Sequence, residues 1–133
     1  NYLGMVLVPH ADKSRVVENC LVKLREGFPV VIFPEGKRNP EGTMSEARTG
    51  VARLALLSGV PVIPIGYRGP TGRTMVEAAR NVLMRTKELH IRVGVPLTFS
   101  ANGSTPITKE LLTETTRTIM HAVASLAGTT YPF

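Results

Sequence analysis

Tryptophan is missing from this sequence, cysteine occurs once, and aromatic residues make up only 5% of it. So few rings leave little for nucleobases to stack on, and the sixteen Lys and Arg are scattered rather than grouped in a basic block. No nucleic-acid partner is expected. A single cysteine excludes an intrachain disulfide, and Cys20 sits in a helical pattern of apolar residues, as a small core residue does. There is no Cys/His cluster at metal-ligand spacing, no Gly-x-Ser-x-Gly elbow and no Gly-x-x-x-x-Gly-Lys phosphate loop. Metalloenzyme, serine hydrolase and nucleotide-triphosphatase readings lose their usual anchors, and no metal or cofactor is expected. Long hydrophobic runs are absent too. The longest nearly apolar stretch, 54–67, is interrupted by Ser58, Gly59, Pro61, Pro64 and Gly66. It falls short of the roughly 20 apolar residues that span a bilayer, so any membrane contact of this piece should be peripheral.

What is present suits one folded core. Hydrophobic residues supply 43% and charged residues 20% of 133 positions, about the size of one domain. The formal charge of +6 favours anionic partners, either phosphorylated small molecules or an acidic lipid surface. The chain opens on Asn1 just before an apolar run and is expected to be incomplete at its N-terminus.

Periodicity predicts alternating strands and helices. Residues 5–8 form a short apolar run closed by Pro9; Val16, Val17, Cys20, Leu21 and Leu24 then recur at helical spacing up to Gly27. The uninterrupted apolar run 30–33, after Pro29, predicts a central strand covered on both faces. Ser45 is the predicted cap of a second helix through Ala47, Val51, Leu54, Ala55 and Ser58, ending at Gly59. A strand over 60–67, with Pro61 and Pro64 marking it as irregular, follows. Further on come a short helix around Met75 to Leu83, a strand over 89–93, and a long helix over 108–127 stopped by Gly128. Strands joined by helical crossovers predict an α/β fold with a mostly parallel sheet flanked by helices, in one domain over 1–133.

Chemistry concentrates at Phe33-Pro34-Glu35-Gly36-Lys37-Arg38. A buried strand that ends in a Pro-Glu-Gly turn and presents two adjacent cations puts them at the carboxyl edge of a sheet, where open α/β folds bind ligands. Gly36 lets backbone N–H groups approach an anion, and arginine offers a fork matched to phosphate oxygens. By chemistry alone this is an anion site or an ordinary solvated basic loop.

The run resembles the third block of the glycerolipid acyltransferases, Phe-Pro-Glu-Gly-Thr-Arg-Ser, with Lys37 and Asn39 in place of the threonine and serine. Arg48-Thr49-Gly50-Val51-Ala52-Arg53-Leu54-Ala55 is similar to the family's Lys-Arg-Gly-Ala-Ala-Arg-Leu-Ala run, and Val60-Pro61-Val62-Ile63-Pro64 to its fourth block. Gly4 to His10 aligns with the second block, where Pro9-His10 stands for Asp-Arg, and Ile91 to Leu97 resembles a later Val-Arg-Ile-Gly-Glu-Pro-Ile. Five blocks in order are far more specific than any one.

The resemblance implies a glycerol-phosphate acyltransferase-like fold and an enzyme that moves a fatty acyl group from acyl-CoA or acyl-carrier protein to lysophosphatidic acid or a related glycerol phosphate. Phe33, Pro34, Glu35, Gly36, Lys37, Arg38, Arg48 and His10 would bind the acceptor, His10 fully only when protonated. The family's general base sits in a His-x-x-x-x-Asp block upstream of the second one. Positions 15, 95 and 126, five beyond His10, His90 and His121, hold Arg, Val and Leu. No catalytic residue is therefore expected within these 133 residues, and the chain alone should be inactive. An anionic membrane surface at the cytoplasmic face is the implied setting. A non-catalytic phospholipid- or phosphate-binding module of the same fold, or a plain α/β domain, are the other readings.

Overall fold

A computed structural model describes residues 14–37, 43–69, 75–84, 88–99 and 106–133. The predicted strand at 5–8 lies outside them. Among the described residues four helices and two short strands occur in the order α1 (Ser14–Arg25), α2 (Gly50–Ser58), β1 (Ile65–Arg68), α3 (Met75–Leu83), β2 (His90–Val93) and α4 (Lys109–Ala127).

Helix α1 buries Cys20 and ends where the periodicity predicts. Gly27 and Phe28 donate their N–H groups to the carbonyls of Leu24 and Lys23, closing the last turn. The short helix α2 packs against both α1 and α4. Five of its nine residues, Val51, Ala52, Leu54, Ala55 and Leu56, are buried by this packing. One buried cluster joins Ala52 and Leu56 to Leu112 of α4, flanked by Phe99, Ile107 and Leu111. A second joins Met120 and Ala124 of α4 to Tyr131, flanked by Met44 and Ala47. The inward face of α4 also carries Thr115 and Thr116, which periodicity of apolar residues does not reveal. The Thr116 hydroxyl is accommodated by donating to the Leu112 carbonyl at 2.7 Å.

The sheet differs from the mostly parallel one expected. Among the described residues it has two strands, β1 and β2, and they are antiparallel, with Ile65 opposite Val93 and Arg68 opposite His90. A strand–helix–strand run becomes a parallel crossover only when its helix lies on the sheet. Among the described residues α3 packs against none of the other elements, so the chain between β1 and β2 acts as a long hairpin connection. On the covered side α4 packs against both strands. Gly66 makes this approach possible, since a Cβ there would come within 2.5 Å of the Ala127 backbone nitrogen. On the other side Ile65, Tyr67, Ile91 and Val93 are exposed.

Three further expectations are corrected. The run 30–33 pairs with no strand among the described residues, and Val31 and Phe33 are 80% and 81% exposed rather than buried in a central strand. Apolar sequence predicts burial only where neighbouring strands supply the ladder, and the described sheet supplies none here. The strand expected over 60–67 is confined to Ile65–Arg68, after Pro61 and Pro64; Val62 contributes a single bridge to Leu97, with N–H to carbonyl distances of 2.8 Å in both directions. Helix α2 begins at Gly50, not after Ser45, because the backbone amides of Ser45, Ala47 and Arg48 are engaged in hydrogen bonds to distant parts of the chain.

Candidate functional site

Pro34, Glu35 and Gly36 form a tight turn in which the Gly36 N–H donates to the Phe33 carbonyl at 3.0 Å. Gly36 has φ of +65°, a conformation that costs an L side chain roughly 1–2 kcal/mol. Space as well as backbone geometry calls for glycine: a Cβ at this position would stand 3.2 Å from Nε of Arg48. The guanidinium of Arg48 thus lies against the turn, brought there by the segment 43–48 that precedes α2.

Hydrogen bonds fasten that segment to the turn. The Ser45 N–H donates to Oε2 of Glu35 at 2.6 Å, and the Arg48 N–H donates to the Pro34 carbonyl at 2.9 Å. Glu35 is half-buried, and one oxygen of its carboxylate holds the backbone of the strap. Lys37 is exposed beside the turn, so Lys37 and Arg48 present a cationic surface to solvent. Of the expected site residues, His10 and Arg38 lie outside the described residues, while Phe33, Pro34, Glu35, Gly36, Lys37 and Arg48 come together.

Tyr131 also touches this segment. Its hydroxyl accepts the Ala47 N–H at 3.0 Å across 84 positions of sequence, a contact that no local pattern signals. A small cavity of about 90 Å³ lined by Arg68, His90, Arg92, Leu126 and Ala127 shares no residue with the turn. Among the described residues no group of three His, Cys, Asp or Glu could hold a metal ion, and no helix is long and apolar enough to cross a membrane.

Residues 4–68, which contain the turn and its strap, match the Acyltransferase family model. A chloroplastic 1-acyl-sn-glycerol-3-phosphate acyltransferase of Brassica napus is 32% identical over 84 residues, covering 61% of this chain and 24% of that protein. The human 1-acyl-sn-glycerol-3-phosphate acyltransferase beta is 32% identical over 71 residues, covering 50% and 26%. One from Pseudomonas aeruginosa reaches 46% identity over 44 residues, covering 33% and 17%. The chain therefore spans about a quarter or less of the length of these relatives. No solved structure matches. Over residues 4–68 the chain is thus similar to the Acyltransferase family, and to proteins named as 1-acyl-sn-glycerol-3-phosphate acyltransferases.

Proposed function

We propose that the protein containing this chain transfers a fatty acyl group from the thioester of acyl-CoA or acyl-carrier protein to a hydroxyl of lysophosphatidic acid or a related glycerol phosphate, and that this chain holds the acceptor's phosphate. The observation that carries the reading is the Arg48 guanidinium set against Gly36 in a turn made of the Phe-Pro-Glu-Gly block. An exposed arginine fork set against a tight positive-φ turn, with a lysine next to it, is a chemical match for a phosphate monoester. Lys37 adds charge at the rim, and Arg38, next in sequence, and His10 are assigned to the same phosphate.

In the transfer the acceptor hydroxyl attacks the thioester carbonyl, a C–O bond forms, the C–S bond breaks, and the thiol leaves with the proton that a general base removed from the hydroxyl. No covalent enzyme intermediate is required. The residues of this chain act by position: a phosphate fixed at the turn keeps the hydroxyl within attacking distance, a contribution to rate as well as affinity. The base belongs to a His-x-x-x-x-Asp block, a spacing that these 133 residues do not contain. The basic surface suits an anionic bilayer, and we assign the protein to the cytoplasmic face of a membrane. Titrating the chain with glycerol 3-phosphate while following the amide signals of Gly36 and Arg48 tests the binding role. Saturable shifts absent with glycerol alone are expected; equal shifts with both would overturn it.

A further inference from the structure

The segment 43–48 is held from two sides. Towards the turn, Ser45 and Arg48 donate to Glu35 and Pro34; away from it, Ala47 donates to Tyr131. Tyr131 is itself firmly placed. It is 7% exposed, packs with Met120, Ala124, Met44 and Ala47, and lies edge-on to His121 with ring centroids 5.8 Å apart. The tail that carries it doubles back along α4. Gly128 and Thr129 donate to Ser125 and Ala124 at the end of the helix, and Nε of Arg117, ten residues before the helix ends, reaches the Phe133 carbonyl at 3.2 Å. The chain reversal after α4 thus delivers a phenol to the strap that carries Arg48.

We infer that Tyr131 is a positioning residue of the acceptor site: its hydroxyl fixes the 43–48 strap, and through the strap it sets the Pro34–Gly36 turn and the Arg48 guanidinium against each other. The inference rests on the reading of that turn as a phosphate loop. It extends the site to a residue beyond the stretch 4–68 that matches the family model. A tyrosine that merely fills the core would contribute through its ring; a positioning tyrosine contributes through its oxygen. The two are separable because Tyr131→Phe keeps the ring and its packing and removes only the acceptor of the Ala47 N–H.

The test compares the parent chain with Tyr131→Phe, with Arg117→Ala, which frees the tail at Phe133 but leaves the phenol intact, and with Lys109→Ala at the start of α4 as control. Amide signals and hydrogen exchange of Gly36, Ser45, Ala47 and Arg48 are read alongside the Kd for glycerol 3-phosphate and the urea midpoint. Tyr131→Phe is expected to speed exchange at Ala47, to move the Gly36 and Arg48 signals, and to raise Kd about threefold to tenfold, the scale of one neutral hydrogen bond. Arg117→Ala should shift the same signals in the same direction by less, and Lys109→Ala should leave them alone. A lower urea midpoint in Tyr131→Phe with unchanged Gly36 and Arg48 signals would overturn the inference and leave a purely structural tyrosine. If the parent chain binds no glycerol 3-phosphate, the phosphate reading fails, and the movement or stillness of the Gly36 signal still decides whether Tyr131 positions the turn.

Discussion

Gly36 meets two demands at once, a positive φ and room for the Arg48 side chain. Gly36→Ala should therefore cost roughly 1–2 kcal/mol of strain in the turn and weaken glycerol 3-phosphate binding. The nearest atoms belong to a flexible arginine, so the fold should survive with the guanidinium displaced. Circular dichroism at parent intensity together with a raised Kd is the expected result. Arg48→Ala should raise Kd, and in the intact acyltransferase it should raise KM for the phosphorylated acceptor and lower turnover. Arg48→Lys should rescue only in part, because a point charge replaces a fork; indifference of both variants would remove Arg48 from the site. Cys20 provides a test of packing. Burial pushes its thiol above the ordinary range, so the neutral form is favoured in the folded chain. Native protein should react with a thiol reagent at pH 8 far more slowly than protein in urea. Linkage has the matching sign: the contribution of this raised group is intact below its unfolded value, about 8.5, and is lost as pH rises through the higher folded one.

Among the elements, α4 organises most of the described packing, contacting α2 and both strands. Its start is capped by Thr108, whose hydroxyl accepts the Leu111 N–H at 3.2 Å. Thr108→Ala should lower stability by about 1 kcal/mol, read as an earlier urea midpoint. The close approach at the other end is less forgiving. A methyl at Gly66 meets the backbone of Leu126 and Ala127, which cannot rotate away as a side chain can. Gly66→Ala should cost about 1–3 kcal/mol, and a neutral substitution would mean that α4 does not lie on β1 as described.

At the scale of the whole molecule, activity and binding should separate. The 133-residue chain, assayed with a thioester donor and lysophosphatidic acid, should show no acyl transfer, because loss of a general base alone typically costs about 10² to 10⁴ in rate. Measurable transfer would reveal a base among the residues present. The surface also predicts behaviour in solution. Val31 and Phe33 and the sheet face formed by Ile65, Tyr67, Ile91 and Val93 are exposed, a large apolar area for a small chain.

The resemblance to acyltransferases, the helix pattern and the identity of the candidate loop were legible in the sequence because each is carried by neighbours in the chain. Amphipathic spacing marks α1 and α4, glycines mark their ends, and the ordered blocks around Phe33-Pro34-Glu35-Gly36 mark the family. Pairing of strands is different, since an apolar run such as 30–33 has the same sequence whether or not a neighbour lies alongside it. The antiparallel β1–β2 pair, the exposure of Val31 and the late start of α2 were accordingly decided by tertiary contacts. So was the architecture of the site. Residues at 34–36, 45–48 and 131 meet through backbone hydrogen bonds, and a backbone N–H is the same group in almost every residue, so its distant partner leaves no trace in local sequence.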